Sequence, residues 1–328
     1  MSRSRRILVL RALGIGDLAA AVPALRALRT ARPDARITLA APDWLAPLAG
    51  LTGAVDRVEA VDGLAASVVG GGPYDLAVNL HGRGPRSHLL LRRSTSAGLW
   101  AFRCPAAEHG TGPDWRAAEH EVARWCRLLR WYGGTPDPQD LALRRPRLAV
   151  PTGLTLVHPG AKTADRRWPA ARFAEVCAAL HRSGHRVALT GSAAERDLGL
   201  DIAARAGLGE DRVLAGRTGV AELAALVAAA RLVVSGDTGI AHLATAYAVP
   251  SVVMFGALGP HLWGPPAGRP WHQALWHPDP AALPRPASGP HPALLATTCT
   301  QVIEAAELAC AAAPAGAGPA VPAAPAAA

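Results

Sequence analysis

The stretch that most constrains the fold runs from Arg231 to Gly256, R-L-V-V-S-G-D-T-G-I-A-H-L-A-T-A-Y-A-V-P-S-V-V-M-F-G. Leu232, Val233 and Val234 form the short apolar, β-branched run that a parallel strand buried on both faces requires. Ser235-Gly236-Asp237-Thr238-Gly239 breaks that run with two glycines and three residues that favour caps and turns. From Ile240 to Ala248 the apolar residues take helical spacing, with Ile240, Leu243, Ala244 and Tyr247 on one side. Pro250 ends the helix, and Ser251 to Phe255 reads as a second buried strand. A strand–loop–helix–strand unit of this kind belongs to an α/β sheet. Its helix begins on Gly-Asp-Thr-Gly, so unpaired backbone N–H groups and a positive dipole end are offered to an anion. His242 lies one turn inside, within reach of the same anion. A plainer account remains open, in which Asp237 or Thr238 only caps the helix and His242 only occupies its face.

With 328 residues the chain suits two domains, each large enough for its own core. Half of the residues are hydrophobic, yet no uncharged apolar run reaches the length of a membrane span. The five cysteines, Cys104, Cys126, Cys177, Cys299 and Cys310, are scattered and contain no C-x-x-C. That pattern argues against a zinc site or a disulfide framework and fits a reducing cytoplasm. The opening M-S-R-S-R-R-I-L-V-L imitates a signal peptide, but Arg11 and Asp17 interrupt the apolar region, so a strand followed by a helix is expected. The net charge is +9, and Lys162 is the only lysine. This charge suits a phosphate-bearing ligand or an anionic membrane surface. No basic run interleaved with aromatics marks a nucleic-acid track, so no nucleic-acid partner is expected.

In chain order, Arg6 to Leu10 reads as a first strand and Leu18 to Ala31 as a helix, with Pro23 tolerated near its start. Gly14-x-Gly16-x-x-Ala19 matches a dinucleotide fingerprint, but the acidic residue that should end the next strand is missing. The alternative is that Gly14 and Gly16 shape a tight loop that places Asp17 at the helix N-terminus, at the carboxyl edge of a parallel sheet, where α/β ligands bind. The plainer account is that Asp17 serves only its own helix dipole. Strands at Arg36 to Ala41, Val55 to Val61 and Tyr74 to Leu80 continue the rhythm, with a short helix from Trp44 to Leu51. His81-Gly82-Arg83-Gly84 sits at the carboxyl end of the last of these strands, lining an acceptor side or forming a solvated loop. A short strand at Leu99 to Arg103, an irregular stretch over 104–118 and an amphipathic helix from Glu119 to Tyr132 follow. The Pro- and Arg-rich run from Thr135 to Pro151 marks a boundary, giving a first domain over 1–150.

The second domain, over 151–312, restarts the pattern. Strands are expected at Leu154 to Val157, Arg186 to Thr190 and Arg212 to Leu214, and helices at Ala170 to Ser183, Gly191 to Ala206 and Val220 to Ala229. His158-Pro159-Gly160-Ala161-Lys162 forms a turn, in which His158 more simply packs or caps than catalyses. Residues 257–298 are rich in Gly, Pro, Trp and His, of which the Trp and His residues between Trp263 and His277 read as a packed or mobile loop and not a cofactor box, and a last helix falls within 292–312. The Ala/Pro/Gly tail over 313–328 is expected to be disordered.

Several of these segments, in this order, resemble glycosyltransferase family 9, the heptosyltransferase type. They are L-G-I-G-D-L…P-A-L-R-A-L at 13–28, H-P-G-A-K…R-R-W-P at 158–169, G-S…E-R at 191–196, S-G-D-T-G-I-A-H-L-A at 235–244 and M-F-G…W-G-P at 254–265. The resemblance spans about residues 5–310. It implies a GT-B architecture, two Rossmann-like domains with parallel sheets facing across a cleft. The N-terminal domain would take the acceptor and the C-terminal one the nucleotide-sugar donor. It also implies an inverting transfer from a nucleotide-diphosphate sugar, typically ADP-heptose, to a glycan, glycolipid or small-molecule acceptor. Asp17 takes the place of the family's general base. Asp237, Thr238, Gly239 and His242 take the donor site, Arg166 and Lys162 are the cations for its phosphates, and Glu195 falls near an acidic residue that binds sugar or ribose. Arg166 stands where relatives often carry lysine, a change that bidentate phosphate binding tolerates. Gly14, Gly16, His81 and Arg83 belong to the acceptor side. No cofactor and no metal are expected, and the location expected is the cytoplasm, with the inner face of the membrane left open.

Other classes compete. A nucleotide-sugar epimerase on the same plan would need acid–base groups beyond Asp17 and Glu195. A catalytically silent nucleotide-sugar-binding protein would have little need of Asp17. A nicotinamide dehydrogenase resting on Gly14-x-Gly16 is disfavoured by the Asp-Thr-Gly-x-x-His of the second domain.

Overall fold

The structure is a computed structural model that describes residues 4–65, 69, 74–278 and 289–314. The chain forms two compact units, Met1–Arg144 with His261–Trp263, and Arg145–Pro260 with Gly264–Ala328. Arg145 is tied to the second unit by a hydrogen bond from Nη1 to the Ala228 carbonyl, which is separate from the 150/151 boundary read from composition.

In the first unit the chain runs β1 (Arg6–Leu10), α1 (Ile15–Ala20), α2 (Val22–Ala31), β2 (Arg36–Ala41), α3 (Ala46–Leu51), β3 (Arg57–Ala60), β4 (Tyr74–Asn79), α4 (Arg86–Ser94), β5 (Thr95–Trp100) and α5 (Glu121–Trp131). The strands pair in parallel in the order β3-β2-β1-β4-β5. Central β1 is buried almost throughout because Ile7, Leu8, Val9 and Leu10 meet helices on both faces. The order reverses between β1 and β4, so the chain leaves these neighbours toward opposite faces. Such a switch point opens a crevice at the carboxyl ends of the strands. Trp263 packs with this unit, beside Ala20, Val122, Cys126 and Leu141.

The second unit contains β6 (Leu154–His158), α6 (Ala170–Arg182), β7 (Arg186–Leu189), α7 (Arg196–Arg205), α8 (Val220–Ala228), β8 (Leu232–Gly236), α9 (Gly239–Ala246), β9 (Ser251–Met254), α10 (Pro260–Trp263, whose last three residues count with the first unit), β10 (His272–Leu275), α11 (Pro292–Leu295) and α12 (Cys299–Ala311). Its five strands are again parallel, in the order β10-β9-β8-β6-β7. Val213 adds a single bridge to Leu189 outside β7. The Arg212–Leu214 strand expected from sequence is therefore one bridged residue, and the order becomes that of a six-position Rossmann sheet with a vestigial edge. The switch point lies between β6 and β8. Val157, Leu189, Leu232, Val234, Val252 and Met254 bring the sheet into one core with α6 and α12. Trp168 joins it edge-on to Phe173 at 5.1 Å, and its indole N–H donates to the Thr297 carbonyl at 3.2 Å.

Several expected boundaries move for local reasons. The helix expected over 18–31 is two helices that part at Ala21, whose backbone (φ −90°, ψ −5°) closes α1. Pro23 lacks the N–H that would continue the first ladder and instead sits in the opening turn of α2. Helix α4 has no counterpart in the sequence reading because its inward face mixes buried Ser87 and His88 with Leu90 and Leu91, which blurs the apolar period. The strand expected at Leu99 to Arg103 begins earlier, at Thr95, where the hydroxyl donates to the Tyr74 carbonyl at 2.8 Å. The loop reading of Trp263 to His277 missed β10, which pairs with β9 from His272↔Ser251 to Leu275↔Met254. From residue 315 onward the expected tail lies outside the described residues.

Candidate active site

In the first unit, the loops after β1 and β4 meet at the switch point. Gly14 is the N-cap of α1, and Asp17 is its third residue. The Gly14 N–H donates to Asp17 Oδ2 at 3.1 Å, so the carboxylate closes back over its own loop. That is the helix-start interaction foreseen as the plain account of Asp17, but a second partner is present. Arg11, immediately after β1, is 1% exposed, and its Nη2 lies 3.4 Å from Asp17 Oδ1. Its Nε donates to the Asp17 carbonyl at 2.9 Å and its Nη1 to the Leu80 carbonyl at the end of β4. The Asp17 side chain keeps 29% of its surface open to solvent. Gly16 lies within α1, between the cap and Asp17.

Arg11 is balanced from behind. Its Nη2 also donates to Glu121 Oε1 at 2.9 Å, at the start of α5. Glu121 accepts further from the Trp125 indole at 2.8 Å and from Arg124. Burial by itself would raise the Glu121 carboxyl. The charges of Arg11 and Arg124, with hydrogen bonds from Arg11 and Trp125, outweigh it and hold the group below the usual carboxylate range. Neither Arg11 nor Glu121 was singled out as functional from the sequence. The only signal was a charge directly after the apolar run Ile7–Leu10.

His81 follows β4, and its backbone N–H donates to Asn79 Oδ1 at 3.0 Å. Buried Asn79 also reaches the Gly82 carbonyl at 3.2 Å and Ser87 Oγ at 2.9 Å, which folds the His81–Arg83 loop onto the start of α4. Burial lowers the His81 imidazole, the Arg11 charge lowers it further, and the Asp17 carboxylate opposes both. The ring therefore stays neutral near pH 7 beside Asp17, while Arg83 points into solvent.

In the second unit the residues gather at the carboxyl ends of β6, β8 and β9. Asp237 is 8% exposed; its N–H donates to the Met254 carbonyl at 3.1 Å, and its Oδ2 accepts from Arg166 Nη2 at 2.7 Å. Arg166 also donates to the Asp237 carbonyl. Two residues expected to serve the donor separately are thus partners. Asp165, Arg166 and Asp237 line a small pocket with Met254, Gly256, Ala257 and Leu258. Thr238, not Asp237, is the N-cap of α9 (φ −141°, ψ 174°), yet its hydroxyl makes no capping hydrogen bond. Gly239 opens α9, and partly exposed His242 sits one turn inside it.

After β6, His158 bonds through Nδ1 with Thr190 Oγ1 at 3.0 Å, joining two strand ends. Burial lowers its pKa, against the attraction of Glu195. Glu195 Oε2 accepts from both the N–H and the hydroxyl of Ser192 at 2.8 Å. Its burial would raise the carboxyl; the Ser192 hydrogen bonds, then His158 and Arg167, bring it below the usual value. Gly160 lies so close that a Cβ there would stand 2.1 Å from Glu195 Oε1, so a larger residue would oblige the Glu195 carboxylate to shift. Lys162 is exposed on the same turn. Among the described residues no three His, Cys, Asp or Glu side chains form a metal-binding group, and no helix is long and apolar enough to cross a membrane.

The profile of glycosyltransferase family 9 (heptosyltransferase) matches residues 93–277. Among solved structures, an E. coli ADP-heptose lipopolysaccharide heptosyltransferase II aligns at a TM-score of 0.73 with 21% identity, covering 93% of this chain and 98% of that one. A family 9 glycosyltransferase from Veillonella parvula aligns at 0.74 with 20% identity over 94% and 97% of the two chains. The E. coli heptosyltransferase WaaC, solved with ADP, aligns at 0.69 with 20% identity over 92% and 99%. At these identities the likeness is one of fold. No curated protein matches the chain in sequence.

Proposed function

Since the chain belongs to glycosyltransferase family 9, we propose that this glycosyltransferase moves a heptose-like sugar from a nucleotide-diphosphate donor, ADP-heptose first among candidates, to an acceptor hydroxyl. The transfer proceeds with inversion and without a metal or other cofactor. Asp17 takes the proton as the acceptor oxygen forms its bond to the sugar's anomeric carbon. The bond from that carbon to the diphosphate breaks, and its electron pair leaves with the nucleotide. The observation that carries this reading is the setting of Asp17. It is a partly exposed carboxylate at the switch point of a parallel sheet, fixed through Oδ2 by the Gly14 N–H and facing Arg11 through Oδ1. Its exposed edge is free to meet a hydroxyl at hydrogen-bond distance. His81 and Arg83 lie on the following loop, on the acceptor side.

The diphosphate is assigned to the second unit. The first turn of α9 at Thr238 and Gly239, with His242, supplies N–H donors and a positive dipole end to the departing charge. Arg166 and Lys162 add cations, with Arg166 also holding Asp237 in place. Glu195 is assigned to the sugar or ribose. The acceptor class is a glycan, a glycolipid or a small molecule, taken from the cytoplasmic side, with peripheral contact to an anionic membrane surface a corollary for the lipid-borne case.

The test is Asp17→Asn. Release of ADP from ADP-heptose is followed with water as the acceptor, and ADP affinity is measured by calorimetry. Loss of general-base assistance is worth about two to four powers of ten in rate, so turnover should fall at least a hundredfold while ADP binds as before. Near-normal ADP release would place the base elsewhere.

A further inference from the structure

We propose that Arg11 and Glu121 are positioning residues for transfer: Glu121 holds the Arg11 guanidinium, and Arg11 holds the Asp17 loop and carboxylate in the orientation that accepts a proton. The proposal rests on the reading of Asp17 as the base. Arg11 has no substrate-facing surface, since it is 1% exposed. Every nitrogen of its head is committed instead. Nε goes to the Asp17 carbonyl at 2.9 Å, Nη1 to the Leu80 carbonyl, and Nη2 is shared between Asp17 Oδ1 at 3.4 Å and Glu121 Oε1 at 2.9 Å. One planar group thereby ties the loop after β1, the end of β4 and the first turn of α5. The fork shape matters, because its donors are spread over three nitrogens in one rigid plane, whereas an ammonium offers its three from a single nitrogen on a flexible stem.

Glu121 is held just as closely. Arg124 donates to its Oε2, and Arg124 Nη2 reaches the carbonyls of Arg116, Ala117 and Glu119 at 3.1, 3.2 and 2.8 Å. Trp125 donates to Oε1, and the Arg11 guanidinium carbon lies 4.6 Å over the Trp125 ring. The chain of contacts therefore runs from the loop before α5 through Arg124 and Glu121 to Arg11 and Asp17. Removing either partner would leave the other buried charge without its counter-charge, which is costly. Misplacing a reacting group by about 1 Å costs on the order of a hundredfold in rate, enough to be the role of this network.

The structure supplies a reporter that needs no substrate. The Gly14 N–H donates to Asp17 Oδ2, so its protection from hydrogen exchange reports whether the carboxylate is held against it. In Arg11→Met the Gly14 amide should lose that protection. ADP release from ADP-heptose should fall ten- to a hundredfold, with ADP affinity unchanged. Glu121→Gln should move both readouts in the same direction by less, and Arg11→Lys should recover part of each relative to Arg11→Met. If Arg11→Met does not fold, Arg11→Lys and Glu121→Gln carry the measurement, since each keeps part of the network. A folded Arg11→Lys or Arg11→Met whose Gly14 protection and ADP release match the wild type overturns the proposal. If the wild type releases no ADP above background, the transfer reading fails, and Gly14 protection alone decides whether Arg11 holds the Asp17 carboxylate.

Discussion

At the scale of single residues, the molecule spends its tightest contacts on placing carboxylates. Asp17 and Glu195 each accept from the N–H of the residue three positions earlier, a local closure that costs little entropy. What differs is what stands beside each. Asp17 faces a buried cation, whereas Glu195 lays its carboxylate into the space that the missing Cβ of Gly160 leaves. Gly160→Ala should therefore destabilise the second unit by about 1–3 kcal/mol, through overpacking against a side chain that Ser192 keeps from moving away. In a Glu195→Ala background the same change should cost far less, and urea denaturation of the double-mutant cycle measures the coupling. Equal costs in both backgrounds would mean that the glycine is needed for the backbone and not for Glu195.

At the scale of elements, α9 shows how a short helix can be spared for a ligand. Its N-cap Thr238 makes no capping hydrogen bond, so the usual loss of about 1 kcal/mol on removing a cap does not apply. Thr238→Val should then leave the melting temperature nearly unchanged, and with His242→Ala added it should weaken ADP binding tenfold or more, read by calorimetry. Unchanged ADP affinity would remove α9 from the donor site. The buried rear of the helix makes this test clean: Ile240, Leu243 and Ala244 anchor it to the core, away from the substituted positions. Asp237, next door, serves the architecture as well, because its ion pair with Arg166 fastens the turn after β6 to the end of β8.

At the scale of the whole molecule, acid should unfold the chain in two stages. Burial, assisted by the Arg269 charge, pushes the His272 imidazole down to about 4. In the unfolded chain it titrates near about 6.5. Between those values the unfolded state binds a proton that the folded state refuses, so stability is lost as pH falls from about 6.5 toward 4. His81, His88, His109, His158 and His185 are also lowered by burial and add to the same window. Glu121 acts later: its folded value is depressed, so its contribution is intact above about 4.3 and is lost below it. His272→Asn, which retains a partner for Ser251, should flatten but not abolish the fall in melting temperature between pH 7 and 5. A fall as steep as that of the wild type would show that His272 is not a source of the acid sensitivity.

What could be read from the chain alone was set by patterns local to a few residues. Buried strands such as Leu232–Val234 declare themselves by composition, and the loops that follow them by Gly, Asp and Thr, so the two α/β units, the family and the Asp17 and Asp237–His242 loops were all legible. Switch points also follow once the strands are ordered, and they explain why the loops after β1 and β4, and after β6 and β8, hold the candidate residues. Helix α4 and strand β10 were not legible, because their inward residues are polar as often as apolar. Nor was Arg11 to Glu121, a contact 110 positions apart. In the sequence Arg11 is a charge that ends an apolar run, and nothing local tells a buried guanidinium from a solvated one. Only the packing of α5 beside α2 brings the compensating carboxylate to it, and that pairing turns an isolated Asp17 into an oriented one.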